Sequence, residues 1–262
     1  AGAAFGDDTV YVEKFVENPR HIEIQVLAGA DGQVVHLGER DCSVQRRHQK
    51  LVEEAPSPAL TPELREQMGA AAVAYAEAAG YRNAGTVEFL LDKDGRFYFI
   101  ELNARIQVEH PVTEMVTGVD LVRWQLRVAA GENLDFTQDD VQLHGHAMEF
   151  RINAENPDRG FAPAPGVIER LVMPGGRGVR IDSHVTAGYE IPRHYDSMIA
   201  KLICYGADRD EAMRIARRAL RELRVEGRGI ATTAGLHQRI LAQADFVSGH
   251  FDTSFLERHL DV

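Results

Sequence analysis

The sequence predicts an α+β fold whose strands pair mainly in antiparallel order. Two observations lead to this class. Alternating apolar segments come in pairs around Asp-Gly turns, at Asp31-Gly32 and Asp94-Gly95, and the helical segments do not alternate with single strands. Parallel strands need a long crossover between them, so strands joined by tight turns favour antiparallel pairing.

Period-two alternation of apolar and polar residues locates the strands. In chain order, the predicted strands are residues 9–15, 21–28, 33–38, 85–91, 96–106, 145–152, 166–172, 178–181 and 198–205. The polar residues 39–54 predict an irregular segment, and the polar residues 133–141 predict a domain boundary.

Helices are predicted where caps and stop signals flank longer stretches. Thr61, followed by a proline, starts an alanine-rich helix that is expected to run to Ala79, before Gly80. A second helix is expected over residues 113–130. Two more are predicted near the end of the chain, over residues 210–225 and 232–242.

The composition is that of a soluble globular protein. The 262 residues are 44% hydrophobic, and 29 basic against 40 acidic residues give a net charge of −11. No apolar run is long enough to span a bilayer, and the charge argues against nucleic acid or anionic membranes as partners. Cys42 and Cys204 form no metal-binding motif, so a reducing, cytoplasmic compartment is expected.

The densest polar pattern lies in residues 101–109. Alternate side chains of a strand share a face, so one face would carry Glu101, Asn103, Arg105, Gln107 and Glu109. A half-solvated strand produces the same alternation. The apolar residues just before it indicate a buried sheet, in which clustered ionisable groups favour a functional site.

Glu88, on the preceding strand, adds a second carboxylate. If residues 92–95 form a four-residue turn, Glu88 lies one diagonal step from Glu101 on the same face, and a shorter turn breaks this unless a bulge compensates. Two carboxylates and the Asn103 amide oxygen suit a hard cation such as Mg²⁺. The alternative is an acid pair neutralised by Arg105.

A basic segment, residues 39–50, stands out in this acidic chain. Its cationic residues are Arg40, Arg46, Arg47, His48 and Lys50. A cationic loop beside two carboxylates is what a polyphosphate–metal site requires. The alternative is a solvated basic turn, which is the usual role of a charge run.

Arg151 and Asp196 are isolated candidates. Arg151 lies in an apolar strand, where it needs an acidic partner, and Glu149 or Glu155 could supply a purely structural one. For Asp196 the alternative to a site role is a turn or helix cap.

Five ordered segments resemble the biotin carboxylase family, the ATP-grasp enzymes or subunits of biotin-dependent carboxylases such as acetyl-CoA carboxylase. They are EKFVENPRHIE (13–23), ERDCSVQRRHQK (39–50), ELNARIQVEHPVTE (101–114), RINAE (151–155) and YDSMIAKL (195–202). The resemblance covers essentially the whole chain. It implies that biotin on a carrier is carboxylated with ATP, bicarbonate and Mg²⁺, or Mn²⁺ in its place, through carboxyphosphate.

The resemblance also implies roles for individual residues. The metal would be held by Glu88 and Glu101, with Asn103 close by. ATP would contact Glu13, Lys14, Val16, His21, Gln45 and His48. Bicarbonate would bind Lys50, Arg105, Gln107 and the backbone of Val108, with Glu109 as its general base. Arg151 would stabilise the ureido oxygen of biotin, and Asp196 would lie near the biotin end.

By the same resemblance, residues 1–12 end the ATP-grasp lid, residues 13–142 form the second ATP-grasp subdomain and residues 143–262 form the C-terminal domain. The expected partners are a biotin carboxyl carrier protein or domain, a carboxyltransferase, and a second copy bound through the C-terminal domain. The family's N-terminal domain and most of its lid have no counterpart in the sequence, so this fragment alone is expected to have little activity.

Two other functions stay open at this point. One is a different ATP-grasp ligase, of the carbamoyl-phosphate synthetase type, and the RRHQK and RINAE segments argue against it. The other is a non-catalytic piece used for dimerisation or carrier docking. The complete set of candidate metal- and anion-binding residues argues against that alternative.

Overall fold

An eight-stranded sheet forms the centre of the computed structural model, which describes residue 2, residues 6–10 and residues 12–260. In spatial order its strands are β10 (Val179–Ser183), β11 (Met198–Gly206), β6 (His146–Asn153), β3 (Gln49–Ala55), β2 (Val34–Arg46), β1 (Arg20–Ala28), β4 (Asn83–Leu91) and β5 (Phe97–Asn103). Every neighbouring pair runs antiparallel, which confirms the predicted α+β class.

The remaining elements cover the sheet or extend from it. The helices are α1 (Pro62–Ala78), α2 (His110–Thr117), α3 (Leu121–Ala129), α4 (Arg209–Glu222), α5 (Ala234–Ile240), α6 (Ala244–Val247) and α7 (Phe255–His259). Two short strand pairs are β7 (Glu155–Asn156) with β8 (Ala162–Pro163), and β9 (Arg170–Val172) with β12 (Arg224–Glu226). None of the helices among the described residues has the length and apolar character that crossing a bilayer requires.

Helix α1 forms as its sequence predicts and covers one face of the sheet. The Thr61 hydroxyl accepts a hydrogen bond from the Leu64 N–H at 3.2 Å, and a proline occupies the first turn. Met68 and Ala72 then pack on Ile22 and Ile24 of β1. Helices α2 and α3 cover the opposite face.

Residues 39–54 were expected to be irregular, and this prediction is wrong. They form most of β2 and β3, and eleven of the sixteen are buried. Their polarity reflects charge pairing inside the protein: Arg40 is fully buried and reaches Glu23 of β1, while Glu39 accepts hydrogen bonds from Arg65 of α1.

Three further boundaries differ from the prediction. The described residues of the expected strand 9–15 are not in a strand; Val12 is 99% exposed and Phe15 84% exposed, so these apolar groups have nothing to pack against. The expected helix 113–130 is two helices, because Gly118 adopts a φ of 74° and ends α2. Strand β5 ends at Asn103, three residues earlier than expected.

Arg40 ties its own strand, β2, to four other parts of the fold. Its Nε donates to Glu23 Oε1 at 2.5 Å, and its two terminal nitrogens donate to the side-chain oxygens of Gln25, Thr113, Thr86 and Gln107 at 2.6–3.1 Å. All the N–H directions of the guanidinium are thereby used. Strands β1, β2 and β4, helix α2 and the segment before that helix are therefore held in one arrangement.

Replacing Arg40 by methionine tests this connection. The change leaves Glu23 buried with only one of its two cationic partners and removes five hydrogen bonds, so we expect the free energy of unfolding to fall by about 3–5 kcal/mol in urea denaturation. Arg214 is exposed on α4, and its replacement by methionine is the matched control, expected to change stability by less than about 0.5 kcal/mol. Equal losses of unfolding free energy in the two variants would contradict the role of Arg40 in holding these elements together.

Candidate functional site

A cavity of about 870 Å³ opens on the face of the sheet that bears the charged side chains. It lies beside β1, β4 and β5, and the segment between β5 and α2 forms part of its wall. The sequence-predicted residues that line it are Glu13, Lys14, Val16, His21, Gln45, His48, Lys50, Glu88, Glu101, Asn103, Arg105, Gln107, Val108, Glu109 and Arg151. Of the predicted site residues, only Asp196 lies outside this set.

Glu88 and Glu101 lie directly opposite each other on β4 and β5. The connecting loop is one residue longer than the four-residue turn considered above, since Leu91 pairs with Phe97. A bulge beside Glu88 then shifts the register and brings it level with Glu101. The two carboxylates are therefore closer than the diagonal pair that a regular hairpin would give.

This carboxylate pair fits a divalent cation. Asn103 Nδ2 donates to Glu88 Oε1 at 3.2 Å and to Glu101 Oε1 at 3.0 Å, so oxygen atoms of both acids already converge on one point. The opposite amide orientation of Asn103 would present its oxygen at that point instead. Carboxylate and amide oxygens are the ligands that Mg²⁺ and Mn²⁺ take in proteins.

A second set of donor atoms is less suitable for a cation. His21, Glu23 and Glu88 offer ligand atoms that all lie within 4.8 Å of one another. However, Lys50 Nζ already lies 2.5 Å from Glu23 and 3.0 Å from Glu88. The Lys50 ammonium group therefore occupies the position that a metal ion would take between Glu23 and Glu88. The better candidate position for a metal ion lies between Glu88 and Glu101.

Lys50 is the centre of the charged part of the cavity. Its ammonium donates to Glu23 Oε2, Glu88 Oε1 and Glu109 Oε1 at 2.5, 3.0 and 2.7 Å. Three carboxylates thus match the three donors of one lysine. The alternative that Arg105 neutralises the acid pair is wrong, because Lys50 and His21 approach Glu88 and Arg105 is exposed at the rim.

Glu109 is held between two cations. Its Oε1 accepts from Lys50, and its Oε2 accepts from Arg151 Nη2 at 2.9 Å. Its side chain is only 2% exposed, yet it lines the cavity wall. Arg151 Nε donates to Glu53 at 2.5 Å, so its acidic partners are Glu53 and Glu109, not the expected Glu149 or Glu155.

The segment that carries Glu109 is fixed from both sides. Gln107 donates to Glu88 Oε1 at 2.6 Å and accepts from Arg40, and Lys201 of β11 donates to the Val108 carbonyl at 2.7 Å. Because β5 has already ended, these contacts replace the sheet in positioning residues 105–109. The expected continuous strand is thus a shorter strand followed by an anchored loop.

The surrounding cations keep the buried carboxyls ionised. Burial by itself raises the pKa of Glu23, but Arg40 and Lys50 outweigh it and lower that pKa to about 2. Burial of Glu88 is likewise outweighed by the approach of His21 and by Lys50, which lower its pKa to about 2. For Lys50, burial opposes the charge while Glu23 and its other partners raise the pKa above its usual value.

The cationic residues of the segment 39–50 do not lie together in one loop. Arg40 is buried behind the cavity, Lys50 lies inside it and His48 reaches it from the turn between β2 and β3. Arg46 instead stacks on the ring of Phe161 at 4.3 Å, and Arg47 is exposed. The alternative of a solvated basic turn therefore applies to the tip of this hairpin alone.

The outer end of the cavity is more open. Lys14 Nζ donates to the Tyr98 hydroxyl at 2.6 Å, and Phe99 and Ile100 line the wall beside it. Asp196 lies outside the cavity, where its exposed carboxylate accepts the Met198 N–H at 2.8 Å, as its turn-capping alternative predicts.

Two family models match the chain in succession. Residues 1–137 match the ATP-binding domain of the carbamoyl-phosphate synthase L chain, and residues 149–258 match the biotin carboxylase C-terminal domain.

The chain belongs to the biotin carboxylase family.

Individual members of the family are similar along nearly the whole chain. A biotin carboxylase of Nostoc sp. is 61% identical over 98% of this chain and 57% of its own length. Biotin carboxylase 1 of Bacillus subtilis is 57% identical over 99% of this chain and 57% of its own length. The sequence therefore spans a little over half the length of these curated relatives.

Solved structures confirm that the fold is the ATP-grasp fold of biotin carboxylases. The biotin carboxylase domain of Hydrogenobacter thermophilus 2-oxoglutarate carboxylase superposes with a TM-score of 0.94 at 52% identity, over 98% of this chain and 56% of that one. That domain is described as a dimer in complex with MgADP, ADP and bicarbonate. A thermophilic 2-oxoglutarate carboxylase domain bound to bicarbonate gives a TM-score of 0.95 at 52% identity.

Two acids of the site were not predicted from the sequence. Glu23 joins Arg40 to Lys50, and Glu53 holds Arg151. Glu23 alternates with His21 on the polar face of a recognisable strand, which was a usable signal. Glu53 had no such signal, because its surroundings were taken to be irregular and the arginine that needs it lies 98 residues away in sequence.

Acid unfolding tests the low pKa of Glu23. Between its folded value of about 2 and the ordinary 4.5, the unfolded chain binds the additional proton, so stability falls as pH falls. The slope contributed by one such group is about 1.4 kcal/mol per pH unit. In urea denaturation at several acidic pH values, we expect Glu23→Gln to lose a slope of that size.

The exposed Glu77 of α1 supplies the control for this measurement. Glu77→Gln should keep the slope of the unsubstituted chain. A Glu23→Gln variant with an unchanged slope would show that the Glu23 carboxyl is not held ionised by Arg40 and Lys50.

Proposed function

We propose that this chain forms the second half of an ATP-dependent biotin carboxylase, which transfers a carboxyl group from bicarbonate to biotin on a carrier. This is the first half-reaction of a biotin-dependent carboxylase. The observation that carries the proposal is Glu109, a carboxylate fixed between Lys50 and Arg151 on the wall of a cavity that also holds a metal-competent acid pair.

The first proposed step activates bicarbonate. Glu109, which contacts Lys50 and Arg151 and lies in reach of the cavity, takes the bicarbonate proton. A bicarbonate oxygen then forms a bond to the γ-phosphorus of ATP as the bond to ADP breaks, which gives carboxyphosphate and ADP. Lys50, Arg105, the Gln107 amide and the Val108 backbone surround the place where this anion would lie.

The second proposed step carboxylates biotin. Carboxyphosphate separates into CO₂ and phosphate, phosphate takes the ureido N–H proton of biotin, and the nitrogen bonds to CO₂. Arg151 would stabilise the negative charge that develops on the ureido oxygen. Its guanidinium is suited to this because Glu53 and Glu109 fix its orientation before substrate arrives.

A divalent cation would be held by Glu88 and Glu101, with Asn103 beside them. When bound, it would neutralise charge on the ATP phosphates during transfer. Lys14, His21, Gln45 and His48 would contact the rest of the nucleotide along the outer part of the cavity. The relative described with MgADP and bicarbonate supports this arrangement.

The proposed partners follow from the same reaction. Biotin must reach Arg151 on a carrier protein or domain, and a carboxyltransferase must consume the carboxybiotin. We also propose a homodimer that uses residues 143–262, because the Hydrogenobacter thermophilus domain is described as a dimer.

The reaction is tested by ATP hydrolysis in the full gene product that contains this sequence. Activity should depend on bicarbonate and rise with added biotin. Glu109→Gln keeps the size of the side chain but cannot accept a proton, so we expect the bicarbonate-dependent rate to fall about 10²–10⁴-fold. Nucleotide affinity, measured by calorimetry, should change little.

Glu77→Gln on the exposed face of α1 is the control and should keep the full rate. Bicarbonate-independent hydrolysis in the unsubstituted protein would contradict the proposed reaction. A Glu109→Gln rate close to that of the control would remove Glu109 from the role of base.

The metal site is tested separately with Mn²⁺, whose binding is followed by electron paramagnetic resonance in the presence of ADP. Glu101→Gln removes one of two facing carboxylates, and we expect at least a roughly tenfold loss of Mn²⁺ affinity. Asp94→Asn, in the exposed turn between β4 and β5, is the matched control. Unchanged affinity in Glu101→Gln would place the cation elsewhere.

A further inference from the structure

Two buried carboxyl groups next to Arg151 would contact no substrate in the proposed reaction. Glu53 of β3 and Glu149 of β6 are directly opposed across an antiparallel strand pair, and both are 0% exposed. Residues opposed in this way share a face, with Cβ atoms about 4.5–5.5 Å apart. Arg151 follows two residues after Glu149 and so points to the same face.

Three of the four oxygens in this pair have no hydrogen-bond partner. Glu53 Oε1 accepts from Arg151 Nε at 2.5 Å, whereas Glu53 Oε2 and both oxygens of Glu149 accept nothing within the described residues. Buried polar atoms are nearly always paired, and an ionised carboxylate without a donor is especially costly to bury. Two carboxylates side by side cannot both keep their charge here.

The other charged groups around the pair are already engaged. On β11, Lys201 donates to the Val108 carbonyl, and before α2 Glu109 is held by Lys50 and Arg151. On α2 itself, Glu114 accepts from Arg180 of β10, and His110 contacts the Gln107 carbonyl.

Apolar side chains complete the enclosure. Val112 and Val116 of α2 pack with Ala55, Ala147 and Ile203, which are the strand neighbours of the two acids on this face. No described residue donates a hydrogen bond to either oxygen of Glu149, and a proton shared within the carboxyl pair would supply a hydrogen bond between the two acids.

We propose that Glu149 is a neutral carboxylic acid that donates its proton to Glu53 Oε2, and that it acts in this way as a positioning residue for Arg151. Glu53 then remains the anion that holds Arg151 Nε, which directs Nη2 to Glu109. This inference rests on the proposed function, because it assigns Arg151 and Glu109 to the reaction.

The direction of the pKa shifts agrees with a shared proton. Burial raises the pKa of Glu149 well above its usual value, and the neighbouring charge of Glu53 raises it further. Burial also raises the pKa of Glu53, to about 7, although Arg151 opposes the rise. Of the two acids, Glu53 is the one with an arginine partner and so the one that carries the charge.

The positioning effect follows from competition for Arg151. An ionised Glu149 would place a third carboxylate beside a guanidinium that already serves Glu53 and Glu109. An absent Glu149 would leave Glu53 Oε2 without a donor, and Glu53 would then hold Arg151 less firmly. Only a neutral group that donates a hydrogen bond preserves the geometry at Glu109.

Two substitutions separate these possibilities in the full gene product. Glu149→Gln keeps a neutral donor of the same shape, and we expect kcat/KM for bicarbonate-dependent ATP hydrolysis within about threefold of the unsubstituted enzyme. Glu149→Leu keeps most of the volume but donates nothing, and we expect a loss of at least about tenfold, the effect of one hydrogen bond to a charged group.

Rescue by glutamine but not leucine is the result that supports the proposal. Equal loss in both variants would show that a negative charge is needed at residue 149, and full activity of Glu149→Leu would show that the side chain only fills space. Either result overturns the proposal.

Infrared difference spectroscopy tests the proton without using activity. The unsubstituted protein should show the carbonyl stretch of a buried carboxylic acid, and Glu149→Gln should lack it. Absence of that band from the unsubstituted protein overturns the inference, even if Glu149→Leu does not fold. Failure of bicarbonate-dependent hydrolysis instead overturns the proposed function and leaves the infrared result standing.

Discussion

The buried guanidinium of Arg40 is the constraint on which the rest of the site depends. A fully enclosed arginine needs an oxygen for each N–H direction, and these oxygens come from β1, β4, α2 and Gln107. The requirement keeps the polar stretch of β2 within the sheet. It also places the segment between β5 and α2 against the sheet, and this segment carries Glu109.

Charges of opposite sign then follow one another from Arg40 to the far wall of the cavity. The order is Arg40, Glu23, Lys50, Glu109, Arg151 and Glu53, with each neighbouring pair at 2.5–2.9 Å. Each charge is compensated before any substrate binds, so little reorganisation is needed when charge develops during reaction. The same arrangement explains why an additional carboxyl, Glu149, has to be neutral.

The antiparallel α+β class, the α1 cap and the Asp-Gly hairpins follow from local sequence patterns, and fifteen of the residues predicted for the site line one cavity. The register of the Glu88–Glu101 pair does not follow from such a pattern, because it depends on a five-residue loop and a bulge. The sequence did not predict which acidic side chain pairs with which basic one. Glu149 or Glu155 was considered as a structural partner of Arg151, but β3 and the segment before α2 supply Glu53 and Glu109, and only the strand order brings these together.

Glu109 is held between Lys50 and Arg151, and we propose that bicarbonate reacts beside it. A crystal structure of the full gene product with MgADP and bicarbonate tests this proposal most directly. We expect the anion beside Lys50, Arg105 and the Val108 N–H, with one oxygen in hydrogen-bond reach of Glu109. An anion bound away from Glu109, with the Lys50–Glu109–Arg151 contacts intact, would contradict it.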